Sequence, residues 1–233
     1  MYGVPTICRF YSQKTQKIIL HGEFMEQLIS AVVKQVLEKY NKKEEETGVK
    51  VGVSQRHIHL SQEDLERLFG KGYELTQMKV LMGREFAAKE VVTIVGKSLK
   101  SIENVRVLGP VRKNTQVEIS RTDTFILKVS PPVRPSGETE NSEKLVVVGP
   151  KGSIYLNEGV IIANRHIHMT PEDAKIRNLS DNDRVDVVIN GIKPTRFYDV
   201  QIRVREDFHT EMHIDTDDAN SSGLKNGDAV TIV

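Results

Sequence analysis

Two stretches decide the architecture: SQRHIHLSQED (Ser54–Asp64) and ANRHIHMTPED (Ala163–Asp173). They match at R-H-I-H and again at E-D, with His57 and His166 separated by 109 residues. Each follows an apolar strand and leads into a helix start. Ser61 and Thr170 are N-cap residue types, with Asp64 and Asp173 three positions further on. Pro171 takes the first helical position, where its missing N–H costs nothing. Each copy therefore reads as strand, His-Ile-His, capped helix. On a strand, side chains at i and i+2 share a face. His57 and His59 then project together, while Ile58 and Leu60 face a core. The same holds for His166 and His168 against Ile167 and Met169. Two imidazoles on one face make half of a tetrahedral zinc site. A lone His-x-His is more often incidental, but two in matched contexts point to metal binding.

Outward from the repeat the chain is mostly short strands. Residues 91–95, 105–108, 116–119, 145–148, 159–163 and 185–189 are rich in β-branched residues. Tyr198, Val200, Ile202 and Val204 alternate with polar residues, which predicts one buried face. Gly, Pro and Asn punctuate the runs, the pattern of small barrels or sandwiches and not of a parallel βαβ sheet. The stretch 131–143, PPVRPSGETENSE, reads as a turn-rich internal hinge. At the other end, residues 25–40 (MEQLISAVVKQVLEKY) place Leu28, Ile29, Val32, Val33, Val36, Leu37 and Tyr40 on one helical stripe. A charged linker up to Gly48 follows. Residues 1–24 carry Arg9, Lys14 and Lys17 ahead of the first acidic side chain and read as a poorly ordered tail.

Bulk properties narrow the function. The 233 residues carry a formal net charge of +1, which gives no reason to expect nucleic acid or an anionic membrane as partner. No apolar run approaches the ~18 residues of a membrane-spanning helix. The single cysteine, Cys8, excludes an intrachain disulfide and a cysteine-rich zinc cluster. The histidines are unevenly placed: beyond the two pairs, His209 and His213 lie near the C-terminus, and only His21 stands apart.

Two histidines do not complete a centre. Glu118, in TQVEIS, lies on the polar face of a half-buried strand, and His213, in EMHIDTDDAN, faces away from Met212 and Ile214. Each is a surface residue or a ligand, and His209 is within the same reach. Arg112 lies six positions before Glu118. Its planar fork matches two phosphate oxygens, although a solvated surface charge reads the same way.

S-x-R-H-I-H-L-S, L-G-P-x-R, Q-V-E-I-S-R-T-D, a second R-H-I-H-M and E-M-H-I-D-T-D-x-A-N occur in this order. Together they resemble the phosphate propanoyltransferase family, the phosphotransacylases of propanediol utilisation and related bacterial microcompartments. The resemblance implies a zinc enzyme that interconverts a short-chain acyl-CoA plus phosphate with acyl phosphate plus CoA. It implies a mainly β fold of two small β-barrels with short capping α-helices and an active site between them. One barrel takes residues 49–56 with 160–233; the other takes 57–159. By motif position, His57, His59 and Glu118 resemble the ligands of one zinc ion, and His166, His168 and His213 those of a second. Arg112 resembles the phosphate-binding arginine, and Ser54, Gln116 and Phe125 fall near the substrate channel. The helix at 25–40 resembles an encapsulation peptide, implying shell or core proteins as partners, a homo-oligomer, and a place in the bacterial cytoplasm inside a microcompartment. A metal-dependent hydrolase of the amidohydrolase type also opens on His-x-His, but it needs eight βα units, and this chain has too few helices.

Overall fold

The computed structural model describes residues 28–36 and 48–233. Residues 28–36 are helical (α1), and Leu28, Ile29, Val32, Val33 and Val36 on it are each about half exposed. The rest of the stripe expected over 25–40, the tail at 1–24, Cys8 and most of the charged linker lie outside the described residues.

From Val49 the chain forms β1 (Val49–Ser54), β2 (His57–Ser61), α2 (Gln62–Phe69), β3 (Gln77–Val80), β4 (Phe86–Val95), β5 (Ser101–Arg112) and β6 (Gln116–Glu118). Next come α3 (Arg121–Leu127), β7 (Val133–Arg134), β8 (Glu143–Val148), β9 (Ser153–Ala163) and β10 (His166–Met169). The chain ends with α4 (Pro171–Ile176), β11 (Arg184–Ile189), β12 (Thr195–Val204), β13 (Glu211–Asp215), α5 (Thr216–Ser222) and β14 (Ala229–Ile232). One closed barrel runs β1-β13-β10-β12-β11-β14. The other runs β4-β5-β2-β6-β9 and closes through β8, which pairs with both β4 and β9. The first strand belongs to the C-terminal barrel, where β1 lies parallel to β13, so the two barrels are interleaved in sequence.

The alternation of the His-Ile-His strands fills both cores. Ile58 and Leu60 are wholly buried in the core of the β2 barrel, Ile167 and Met169 in that of the β10 barrel. Each such side chain contributes roughly 1.5–3 kcal/mol by leaving water. The predicted caps form: Ser61 Oγ accepts from the Asp64 N–H and Thr170 Oγ1 from the Asp173 N–H.

Tyr198 departs from its expected burial and is exposed, while Val200 and Ile202 are buried as predicted. Val185 faces Val200 but Val187 faces Phe197, so β12 carries one extra residue there, with Asp199 at φ 59°. The bulge turns Phe197 inward and Tyr198 outward. The stretch 131–143 is also more than a hinge: Val133 and Arg134 pair with Ile162 and Ala163 of β9, which anchors the loop beside Glu118.

Candidate metal centres in a shared cleft

The paired strands set the site. β2 lies antiparallel to β6, with His57 opposite Glu118 and His59 opposite Gln116. β10 lies antiparallel to β13, with His166 opposite His213 and His168 opposite Glu211. In each barrel this brings three metal-type donors to within 4.8 Å of one another: His57, His59 and Glu118, and His166, His168 and His213. All six line one cleft of about 800 Å³ formed by both barrels. That lies in the size range of small-molecule sites, roughly 300–1,000 Å³.

The two centres share local geometry. The rings of His57 and His59 lie edge-on at 5.1 Å and 86°, those of His166 and His168 at 4.6 Å and 85°. His57 Nδ1 is 2.8 Å from the Gln55 carbonyl oxygen, and His166 Nδ1 is 2.8 Å from that of Asn164. Donation from Nδ1 leaves Nε2 of each ring with a lone pair aimed into the centre. The Arg of each R-H-I-H holds the helix that follows the third donor. Arg56 Nε donates to both carboxylate oxygens of Asp123 on α3, at 2.9 and 3.0 Å, and Arg165 Nη1 donates to Asp218 on α5 at 3.2 Å.

These matches expose a second repeat that the sequence reading missed. TQVEISRTD (Thr115–Asp123) and TEMHIDTDD (Thr210–Asp218) are equivalent, with Glu118 and His213 separated by 95 residues. Thr115 Oγ1 donates to Asp64, and Thr210 Oγ1 donates to Asp173. Only Thr, Ile and Asp are identical between the copies. The usable signal was the shared x-apolar-x-Ile pattern, followed by an N-cap type and an acid.

Electrostatics separate the centres. Burial disfavours a charged His57, but the Glu118 carboxylate, whose Oε2 is 3.4 Å from its Nε2, outweighs it and raises the ring's pKa. Burial likewise opposes the Glu118 charge, but His57 holds that carboxyl well below the usual range. Burial, then His57 and Arg112, hold His59 well below its ordinary value. In the second centre burial and His213 push His166 down to about 4. Burial and the two other rings hold His168 far down as well. His166 and His168 are therefore held neutral at pH 7, the form a metal ligand needs, with their Nε2 atoms 3.0 Å apart.

The donor sets fit zinc. Zn–N bonds of about 2.0–2.1 Å place neighbouring tetrahedral donors roughly 3.3 Å apart, close to the 3.0 Å and 3.4 Å seen here. Among the described residues the buried Nδ1 atoms of His59 and His168 find no partner in normal hydrogen-bond geometry, leaving an orphaned polar atom inside each centre.

Around the first centre, Gln116 Nε2 donates to Glu118 Oε1 at 2.6 Å and to Ser136 Oγ at 2.9 Å, and Ser136 Oγ donates to Glu118 Oε1 at 2.7 Å. The Gly137 N–H closes the clamp on Gln116 Oε1 at 2.8 Å. Gln116 thus acts on Glu118 from behind the cleft wall. Arg112 lines the cleft, but its Nη2 donates to Glu85 Oε1 at 2.5 Å. Ser54 also lines the cleft. Phe125 is 64% exposed on α3, stacked under Arg121 and outside the cleft lining. His209 lines the rim, 3.6 Å from Glu211, and is not one of the clustered donors. Arg203 and Glu211, which sequence reading passed over, lie in the cleft wall.

Two interleaved barrels with paired three-donor centres in one arginine-bearing cleft define a double-barrel protein with two candidate metal centres. The sequence profile of phosphate propanoyltransferase matches residues 50–225. A phosphate propanoyltransferase of Lachnoclostridium phytofermentans is 53% identical over 207 residues, covering 89% of this chain and 97% of that protein. One of Thermotoga maritima is 54% identical over 208 residues, covering 88% and 99%, and one of Listeria monocytogenes is 45% identical over 210 residues, covering 89% and 94%. The chain belongs to the phosphate propanoyltransferase family, a family of transferases.

Proposed function

We propose that this chain is a zinc-dependent phosphotransacylase acting on a short-chain acyl-CoA, propanoyl-CoA or acetyl-CoA, with phosphate as acyl acceptor. The observation that carries the reading is the pair of three-donor centres facing one cleft beside Arg112. His57, His59 and Glu118 hold one ion; His166, His168 and His213 hold the other. When bound, the two zinc ions offset phosphate charge and polarise the thioester carbonyl. A phosphate oxygen attacks the carbonyl carbon, the C–S bond breaks, and acyl phosphate and CoA thiolate leave. Arg112 orients the phosphate for that approach, and Ser54 lies along the substrate's path. The cleft hydroxyl that donates to a carboxylate is Ser136, at 2.7 Å from Glu118. An acyl-enzyme on Ser136 would need that proton moved to Glu118; direct transfer leaves Ser136 as a brace for Glu118.

The same reading extends to α1. An exposed apolar stripe joined by a charged linker is suited to dock on a shell or core protein of a microcompartment, or on another copy of itself.

Turnover of propanoyl-CoA by the zinc-loaded protein, with phosphate, arsenate or water as acceptor, tests the function. Phosphate should give acyl phosphate and arsenate net hydrolysis. Equal rates with water alone would make the chain a thioesterase. Ser136→Ala should retain turnover at saturating zinc; its complete loss there would favour the acyl-enzyme.

A further inference from the structure

Arg203 is set apart by the company it lacks. It lies on β12 directly beside His168 in the parallel β10–β12 register, and it lines the cleft. Arg84 also lines the cleft with no ion pair among the described residues, but it is exposed to water; the remaining arginines near the centres are engaged. Arg112 is bound to Glu85, Arg56 to Asp123, Arg165 to Asp218 and Arg205 to Asp207 at 2.8 Å. Arg203 is half-buried, yet among the described residues its guanidinium has neither a hydrogen bond nor an ion pair. It feels Glu118 and Glu85 only at longer range, and Arg112 and Arg205 add repulsion. A desolvated guanidinium with five unmatched donors is unfavourable until an anion meets it.

The internal duplication shows that the fold does not require this residue. The position equivalent to Arg203, 95 residues earlier, is Leu108, which pairs beside His59 as Arg203 pairs beside His168 and also lines the cleft. One barrel closes with an apolar side chain there, and the other places an unpaired cation at the same point. Arg112, by contrast, already shares its charge with Glu85.

The geometry points to Arg203 as the residue that binds the acceptor phosphate, with Arg112 as its neutralised partner in orientation. This rests on the phosphotransacylase reading. The anion is phosphate or the phosphoryl end of the acyl phosphate. The pyrophosphate of CoA lies a full pantetheine arm from its thiol, away from a residue beside the His168 centre. A guanidinium meets two phosphate oxygens at once, so Arg203→Gln removes a charge-assisted, two-pronged contact.

The test uses zinc-loaded Arg203→Gln and Arg203→Lys. The KM for phosphate should rise about 10- to 100-fold in Arg203→Gln, as loss of a charged hydrogen bond predicts. It should rise less in Arg203→Lys, with the KM for propanoyl-CoA and the zinc content held at parent values. Calorimetry of inorganic phosphate binding without acyl-CoA reads the same contact independently of turnover. There the parent should bind and Arg203→Gln should bind at least ~10-fold more weakly. Parent-like phosphate binding and KM in both variants would overturn the inference while leaving the phosphotransacylase reading intact. A rise confined to the KM for propanoyl-CoA would also overturn it, assigning the arginine to the CoA phosphates. A parent that binds phosphate through Arg203 but transfers no acyl group would sink the function and keep the site.

Discussion

The two centres exchange a carboxylate between equivalent positions. In the first, Glu118 is a donor and Gln116 stands behind it; in the second, His213 is the donor and Glu211 stands at the position of Gln116, its Oε2 3.0 Å from His213 Nε2. Each centre therefore carries one acid, placed differently. His57→Ala and His166→Ala should each lower bound zinc from about two to about one per chain and abolish turnover, since three-donor sites do not survive loss of a donor. Elemental analysis decides this; full metal in both variants would sink the assignment. Gly52 pairs with His213, and a Cβ there would meet Glu211 Cδ and His213 Cδ2 at 3.1 Å. Gly52→Ala should push both side chains and lower zinc only at the second centre. At this scale the histidines were legible because the i, i+2 rule fixes their direction. Arg203 was not, because the polar half of an alternating strand does not show whether a counter-ion waits across the cleft.

Helices and loops hold the donors rather than supply them. The loop after β7 reads from sequence as a hinge, since its Pro, Gly and Ser content describes only turns. Its Ser136 and Gly137 in fact brace Glu118 and Gln116, a long-range contact that no local pattern encodes. Ser136→Ala should weaken zinc binding at the first centre about 10-fold, the usual effect of losing an outer support of a ligand, read by chelator competition. At the start of α3, Asp123 completes a capping box with Ser120 and pairs with Arg56. Asp123→Ala loses the cap and leaves Arg56 unpaired, so it should cost about 2–4 kcal/mol in denaturant unfolding. The equivalent Asp218 behaves differently: burial, only partly offset by Arg165, pushes it up to about 6. Its folded pKa exceeds the unfolded value near 3.9, so the native state binds the extra proton and stability falls as pH rises through about 6. Asp218→Asn should flatten the melting temperature between pH 5 and 7; an unchanged slope would contradict this.

For the molecule as a whole, the barrels were legible as many short strands without βα alternation, and their pairing came from the family resemblance. Their interleaving, with β1 closing the C-terminal barrel, was beyond any local signal because it rests on a parallel pairing between residues more than 150 positions apart. If α1 serves docking, removing residues 1–47 should reduce assembly size on size-exclusion chromatography and leave turnover per zinc unchanged. An unchanged size with a lowered melting temperature would assign the helix to stability instead. No helix among the described residues is long and apolar enough to cross a membrane. The central claim is that two zinc centres serve one cleft, and the most direct measurement is zinc titration of the chelator-stripped enzyme, following phosphate-dependent turnover of propanoyl-CoA. The account predicts no turnover without metal and a rise that levels off at about two zinc ions per chain, one for each three-donor set. Full turnover in the stripped protein, or a plateau at one ion, would contradict it.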